Sequence, residues 1–153
     1  EHLVKNAKGL LSHADYFLKD GDQLWCVFDR DDNTNAQLKA AGEHADKNGY
    51  KIAYSNPSFE YWYLLHFVKH NGYLKDSNAV IEQLKKKERL EKYEKSTDVF
   101  GTLLPHQTEA IQRAKERVEQ LEKDNIIVLS SDSNPVTTVN ELVEYLNSQQ
   151  FVG

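Results

Sequence analysis

Apolar positions along this chain follow two rhythms. Leu3, Val4, Ala7, Leu10, Leu11, Ala14 and Leu18 recur at intervals of three and four, which predicts an amphipathic helix over residues 3–18. A turn follows at "KDGDQ" (19–23), where Asp-Gly is strong punctuation. Residues 24–28, "LWCVF", are then apolar without a break, as in a strand buried on both faces of a parallel sheet. Residues 34–47 are rich in Ala, Gln, Lys and Glu and predict a helix, which the glycine of "NGY" (48–50) ends. A second short strand is expected over 51–54.

Asn56 and Pro57 have the chemistry of a helix opening, an N-cap followed by a proline in the first helical position. The helix they would open, 57–69, contains "FEYWYLLHFV" and is apolar nearly all round, so it should be central and buried. Residues 77–123 predict mostly helix, broken around "STDVFGTLLP" (96–105). "NIIVLSS" (125–131) reads as a third strand. Asn134 and Pro135 repeat the Asn-Pro opening before a last helix with Val136, Val139, Leu142, Val143 and Leu146 on one face. Strands alternating with helices predict an α/β domain with a short parallel sheet. The helical stretch 77–123 looks like an insertion in that single domain, 1–153.

Composition narrows the class. At 153 residues, with 39% hydrophobic and 28% charged positions, the chain suits one globular domain. A net charge of −5 makes it a poor general attractor of nucleic acid, although charge can be segregated locally. No apolar stretch approaches the ~20 residues of a membrane helix. The one cysteine, Cys26, lies inside the first strand run and reads as a small buried hydrophobe; with no signal peptide, a cytoplasmic location is expected. The chain begins with Glu1 and has no methionine, so a fragment of a longer protein is expected.

Charge changes the picture most at "DRDDN". Asp29, Asp31 and Asp32 come within four positions, directly after the apolar run. Like charges so placed need a positive neighbour. Strand alternation would put Asp29 and Asp31 on one side, at the carboxyl edge of the sheet where ligands bind in open α/β folds. Two carboxylates there suit Mg²⁺ or Mn²⁺, hard ions that favour oxygen. Asp32 and Asn33 read as turn or cap residues for the next helix.

The combination of "WCVFDRDD", "AYSNPSFEYWYLLHF", "KYEK" and "NPVTTVNELVEYL" resembles the RloB-like family, proteins associated with bacterial phage-defence and restriction loci whose core is related to Toprim domains. The resemblance implies a Toprim-like or Rossmann-like three-layer core. It also implies a Mg²⁺-dependent nuclease component working with a separate ATPase. Asp29 and Asp31 match the family's metal-holding Asp-x-Asp. Lys95 resembles a recurring lysine suited to a substrate phosphate, and Glu60 would point into the site beside Asp29. The glutamate that Toprim proteins carry on an earlier strand, in an "EG" turn, has no match here. The opening strand–helix–strand is therefore expected to be missing, and the fragment inactive as it stands.

Other residues carry weaker signals. Glu60 near a helix start would also be explained by free N–H groups and the helix dipole. Ser55 and Asn56 at the end of the second strand, and Asn134 after the third, are candidate substrate contacts; as caps they would aim two helix N-termini at a phosphate. In "QLKKKERLEKYEK", Glu82–Lys86, Glu88–Lys92 and Glu91–Lys95 are spaced by four, as in a solvated salt-bridged helix; Lys85, Lys86, Lys87 and Arg89 could instead meet nucleic acid. His66 reads as a hydrogen-bonded core residue. Two other functions compete with the nuclease. One is a haloacid-dehalogenase-type phosphatase built on Asp29, Asp31, Ser55 and Asp132, although Asn33 stands where that fold wants Thr or Val. The other is a non-catalytic interaction module of a defence complex.

Overall fold

The computed structural model describes residues 2–13, 18–19 and 21–149. Its centre is a three-stranded sheet in the order β1-β2-β3. β1 (Trp25–Asp29) and β2 (Lys51–Asn56) run parallel, with Trp25 opposite Lys51 and Asp29 opposite Ser55. β3 (Val136–Thr137) is short and antiparallel to β2. The layout is a mixed α/β fold, consistent with a Toprim-like or Rossmann-like core.

Each strand divides its residues between two layers. Cys26 and Phe28, beside Ile52 and Tyr54, face α1 (His2–His13) and α2 (Asn35–Asn48). Trp25 and Ala53 face the opposite layer, which contains α3 (Glu60–Phe67), α4 (Ser77–Leu84), α6 (Gln107–Lys123) and α7 (Val139–Ser148). That layer holds the largest core, with Tyr61, Leu64, Leu65, Val80, Leu84 and Ala110 all at 1% exposure or less. Residues 77–123 are thus part of the main core. A short α5 (Phe100–Leu103) and a 3₁₀ turn at Leu104–His106 lead into α6.

Local chemistry explains most boundaries. Thr34 caps α2 reciprocally: its Oγ1 accepts from the Gln37 N–H at 3.3 Å, and Gln37 Oε1 accepts from the Thr34 N–H at 2.8 Å. The cap is therefore Thr34, and not Asp32 or Asn33. Gly49 ends the helix at φ 68°, a left-handed conformation that costs glycine little. α1 covers the first part of the expected helix; residues 14–17 lie outside the described residues, and Leu18 is exposed and not helical. The turn that follows is closed by Asp22, whose N–H donates to the Lys19 carbonyl and whose carboxylate accepts from the Lys19 N–H. Cys26 is buried as expected, but Val27 is 40% exposed, so β1, at the edge of this sheet, is not buried on both faces.

Three expectations fail. Residues 125–131 form no strand; Ile126, Val128 and Leu129 pack irregularly against the Leu38–Tyr54 cluster, and Ile127 is 73% exposed. A short apolar run does not by itself distinguish strand from packed coil. Neither Asn-Pro pair opens a helix. Both peptide bonds are cis, α3 starts at Glu60 with no side-chain cap, and α7 starts at Val139. The charged helix expected after residue 84 stops at Leu84, so the four-residue spacings of Glu88–Lys92 and Glu91–Lys95 fall in irregular chain.

Candidate functional site

Asp29 occupies the last paired position of β1 and shares the Trp25 and Ala53 side of the sheet, toward α3. The ladder goes one bond further, from the Arg30 N–H to the Ser55 carbonyl at 2.8 Å. The chain then turns. The Asn33 N–H and Nδ2 both donate to the Arg30 carbonyl, at 3.0 and 2.9 Å, and Asp31 sits at φ 45°. Strand alternation therefore does not orient Asp31; a left-handed turn residue does. Asp31 is exposed, whereas Asp29 is half-buried.

The Phe59 N–H, just before α3, lies near the Asp29 carboxylate and favours its charged form. Even so, burial first, and then the charges of Asp31 and Glu60, push it up to about 6, against the relief offered by the Phe59 N–H and Lys95. Glu60, in the first turn of α3, is only 7% exposed. Its Oε1 accepts from Tyr93 Oη at 3.4 Å and lies 3.9 Å from Lys95 Nζ. Tyr93 packs edge-on against Tyr63 with ring centroids 6.0 Å apart. The segment 85–99 thus brings a phenol and an ammonium to the carboxylates. Asp29, Asp31, Glu60 and Lys95 interact in one place. Tyr93 and the Phe59 N–H join them; Tyr93 lies inside the "KYEK" motif, but only the fold reveals its role.

The remaining candidates have other engagements. Ser55 is 1% exposed, and its hydroxyl shares a 2.9 Å hydrogen bond with Thr137 Oγ1. Asn56, also 1% exposed, donates through Nδ2 to the Ser130 and Ser131 carbonyls at 3.3 and 3.2 Å. Asn134 pairs with the backbone of Leu74 in both directions, accepting from its N–H at 2.9 Å and donating to its carbonyl at 2.7 Å. These contacts anchor the 130–134 loop and the 70–75 connection. Asp132 lies on that loop and lines a cavity with Asn35, Lys39 and Ile127. His66 Nδ1 bonds the Trp62 carbonyl at 2.9 Å, as a core histidine would.

Among the described residues, no group of three or more His, Cys, Asp or Glu side chains is arranged to hold a metal ion. Two carboxylates, Asp29 and Asp31, stand close enough for one to raise the other. That donor set fits Mg²⁺, which commonly takes one or two carboxylates and keeps several waters.

The family model for RloB-like protein matches residues 1–146. The chain belongs to the RloB-like family. No curated protein and no solved structure matches it. In this RloB-like chain no described helix is long and apolar enough to cross a membrane.

Proposed function

We propose that this RloB-like protein is a Mg²⁺- or Mn²⁺-dependent nuclease component of a bacterial phage-defence or restriction-associated system, acting with a partner ATPase. The observation that carries this reading is the convergence of Asp29, Asp31 and Glu60 at the carboxyl edge of the sheet, with Lys95 and Tyr93 on Glu60. Such a group gains most from a divalent cation. Asp29 and Asp31 would hold the ion, which when bound stabilises developing phosphoryl charge and activates water. Glu60, in contact with Tyr93 and Lys95, would keep a second carboxylate near Asp29, and the exposed Lys95 would meet a substrate phosphate.

Incubating the full-length protein with labelled DNA and RNA, with and without Mg²⁺ or Mn²⁺, tests the reading. Metal-dependent cleavage that falls at least about 100-fold in Asp29→Asn supports it. Cleavage that ignores the metal or the substitution sinks it. The phosphatase reading loses ground, because its serine would be the buried Ser55. The interaction-module reading is favoured by one observation: Leu3, Leu10 and Val27 are 43%, 60% and 40% exposed along α1 and the outer edge of β1.

A further inference from the structure

Away from the carboxylates, a polar cavity of about 380 Å³ lies at the far end of α3. Lys87, Arg89, His106 and Arg113 line it, together with Glu88 and Glu109. These side chains come from the irregular segment after α4, the turn before α6, and α6 itself. Both guanidinium groups are anchored. Arg113 Nη1 donates to the Leu65 carbonyl at 2.6 Å, and Arg89 Nη1 to the Gln83 carbonyl at 2.8 Å. Leu65 and Gln83 belong to the last turns of α3 and α4, so each arginine satisfies a helix-end carbonyl and keeps its other N–H donors. A guanidinium pinned in this way loses little freedom when it meets a phosphate oxygen.

The local field is positive although the chain carries −5. Burial lowers His66 first, and the charges of His106 and Arg113 lower it further. Burial likewise lowers His70, with Arg89 and Lys86 adding to the effect. Three permanent cations face two carboxylates in the cavity, with His106 beside them.

The cavity is aligned with the acidic site. Glu60, Tyr63 and Phe67 are spaced three and four apart on one face of α3. Tyr63 and Phe67 are half-buried, whereas Tyr61, Trp62, Leu64, Leu65 and His66 are buried. Glu60 meets Tyr93 and Lys95 at one end; at the other the Phe67 ring lies 5.9 Å from His106. Glu60 and Phe67 are separated by about 10 Å of helix rise, a distance that one nucleic-acid strand can span. Residues 85–95, with six Lys or Arg against three Glu, connect the two places.

We infer that this cavity binds a backbone phosphate of a nucleic-acid strand that runs along α3 toward Asp29. The inference rests on the nuclease reading for its choice of anion. Lys87 and His106 are exposed, and His106 makes no side-chain cap to α6, so both can be changed without removing a helix-end partner. The test is fluorescence anisotropy of a labelled single-stranded oligonucleotide with the full chain in EDTA, across a salt series. Circular dichroism checks that each variant is folded. Wild type should bind, and Lys87→Glu combined with His106→Ala should bind about tenfold more weakly with a shallower salt slope. Absent wild-type binding, or equal binding by the double variant, overturns the inference. So does displacement of the strand by equimolar inorganic pyrophosphate, which would mark a site for free phosphate. Cavity-dependent binding without any metal-dependent cleavage supports the inference and overturns the nuclease reading.

Discussion

Lys95 Nζ lies 3.9 Å from Glu60 Oε1, an ion pair that ties the irregular chain after α4 to the first turn of α3. The lysine side chain is 71% exposed and the glutamate 9%, so the pair adds little stability by itself. Its effect is on Asp29, which Lys95 also holds down. Lys95→Met is therefore expected to move the Asp29 titration upward from about 6, as followed by carboxyl carbon NMR across pH. An unchanged midpoint would show that the ammonium does not reach Asp29.

Asp29 also gives stability a pH dependence of known sign. Its folded carboxyl titrates near 6, above the ~3.9 of an unfolded aspartate. Between those values the folded chain keeps a proton that the unfolded chain has released. The contribution of this group to stability thus falls as pH rises from about 4 to 6, and is constant above about 7. Asp29→Asn removes the penalty. Discounted for the group's partial exposure, the gain at pH 7.5 is about 1 kcal/mol, or ~3 °C in Tm, vanishing below about pH 4. Thermal melts of both proteins across pH check it.

Divalent cations should reverse that penalty directly. At a concentration 100-fold above its dissociation constant, Mg²⁺ or Mn²⁺ is expected to stabilise wild type by about 2.7 kcal/mol and to leave Asp29→Ala unmoved. Differential scanning calorimetry with and without metal reads this independently of any cleavage. Equal stabilisation of both proteins would place the ion elsewhere.

Asn134→Ala tests a different role. The side chain satisfies both the N–H and the carbonyl of Leu74. Losing it leaves two backbone groups short of partners, at a cost of about 1–3 kcal/mol. Tm should fall by several degrees while the metal response through Asp29 persists. Loss of the metal response in a folded variant would instead give Asn134 a part in the site.

The contrast among these residues shows what the sequence could reveal. β1, α2 and β2 were legible because each has a composition or an apolar run of the right length, bounded by recognisable punctuation; α3 was legible as a buried helix from its apolar run alone. The convergence of Asp29 and Glu60 was legible only as an implication of the family resemblance. Asn56 and Asn134 misled, since an asparagine before a proline has the chemistry of a cap, while here each side chain is drawn to a distant backbone. Residues 125–131 misled for a related reason: their serine carbonyls are taken by Tyr54 and Asn56, partners more than 70 positions away. Tyr93 and the pinned arginines depend on tertiary contacts that leave no periodic trace.

Asp31 stands at φ 45°, two residues beyond the last paired position of β1. One carboxylate therefore belongs to the sheet and the other to an exposed left-handed turn. Asp31→Gly would preserve the left-handed turn and delete the carboxylate, and Asp31→Asn would keep both its shape and its tolerance of the left-handed region while removing the charge. If Asp31 holds the proposed ion, ion preference would be retuned at a single exposed position, without repacking anything beneath it.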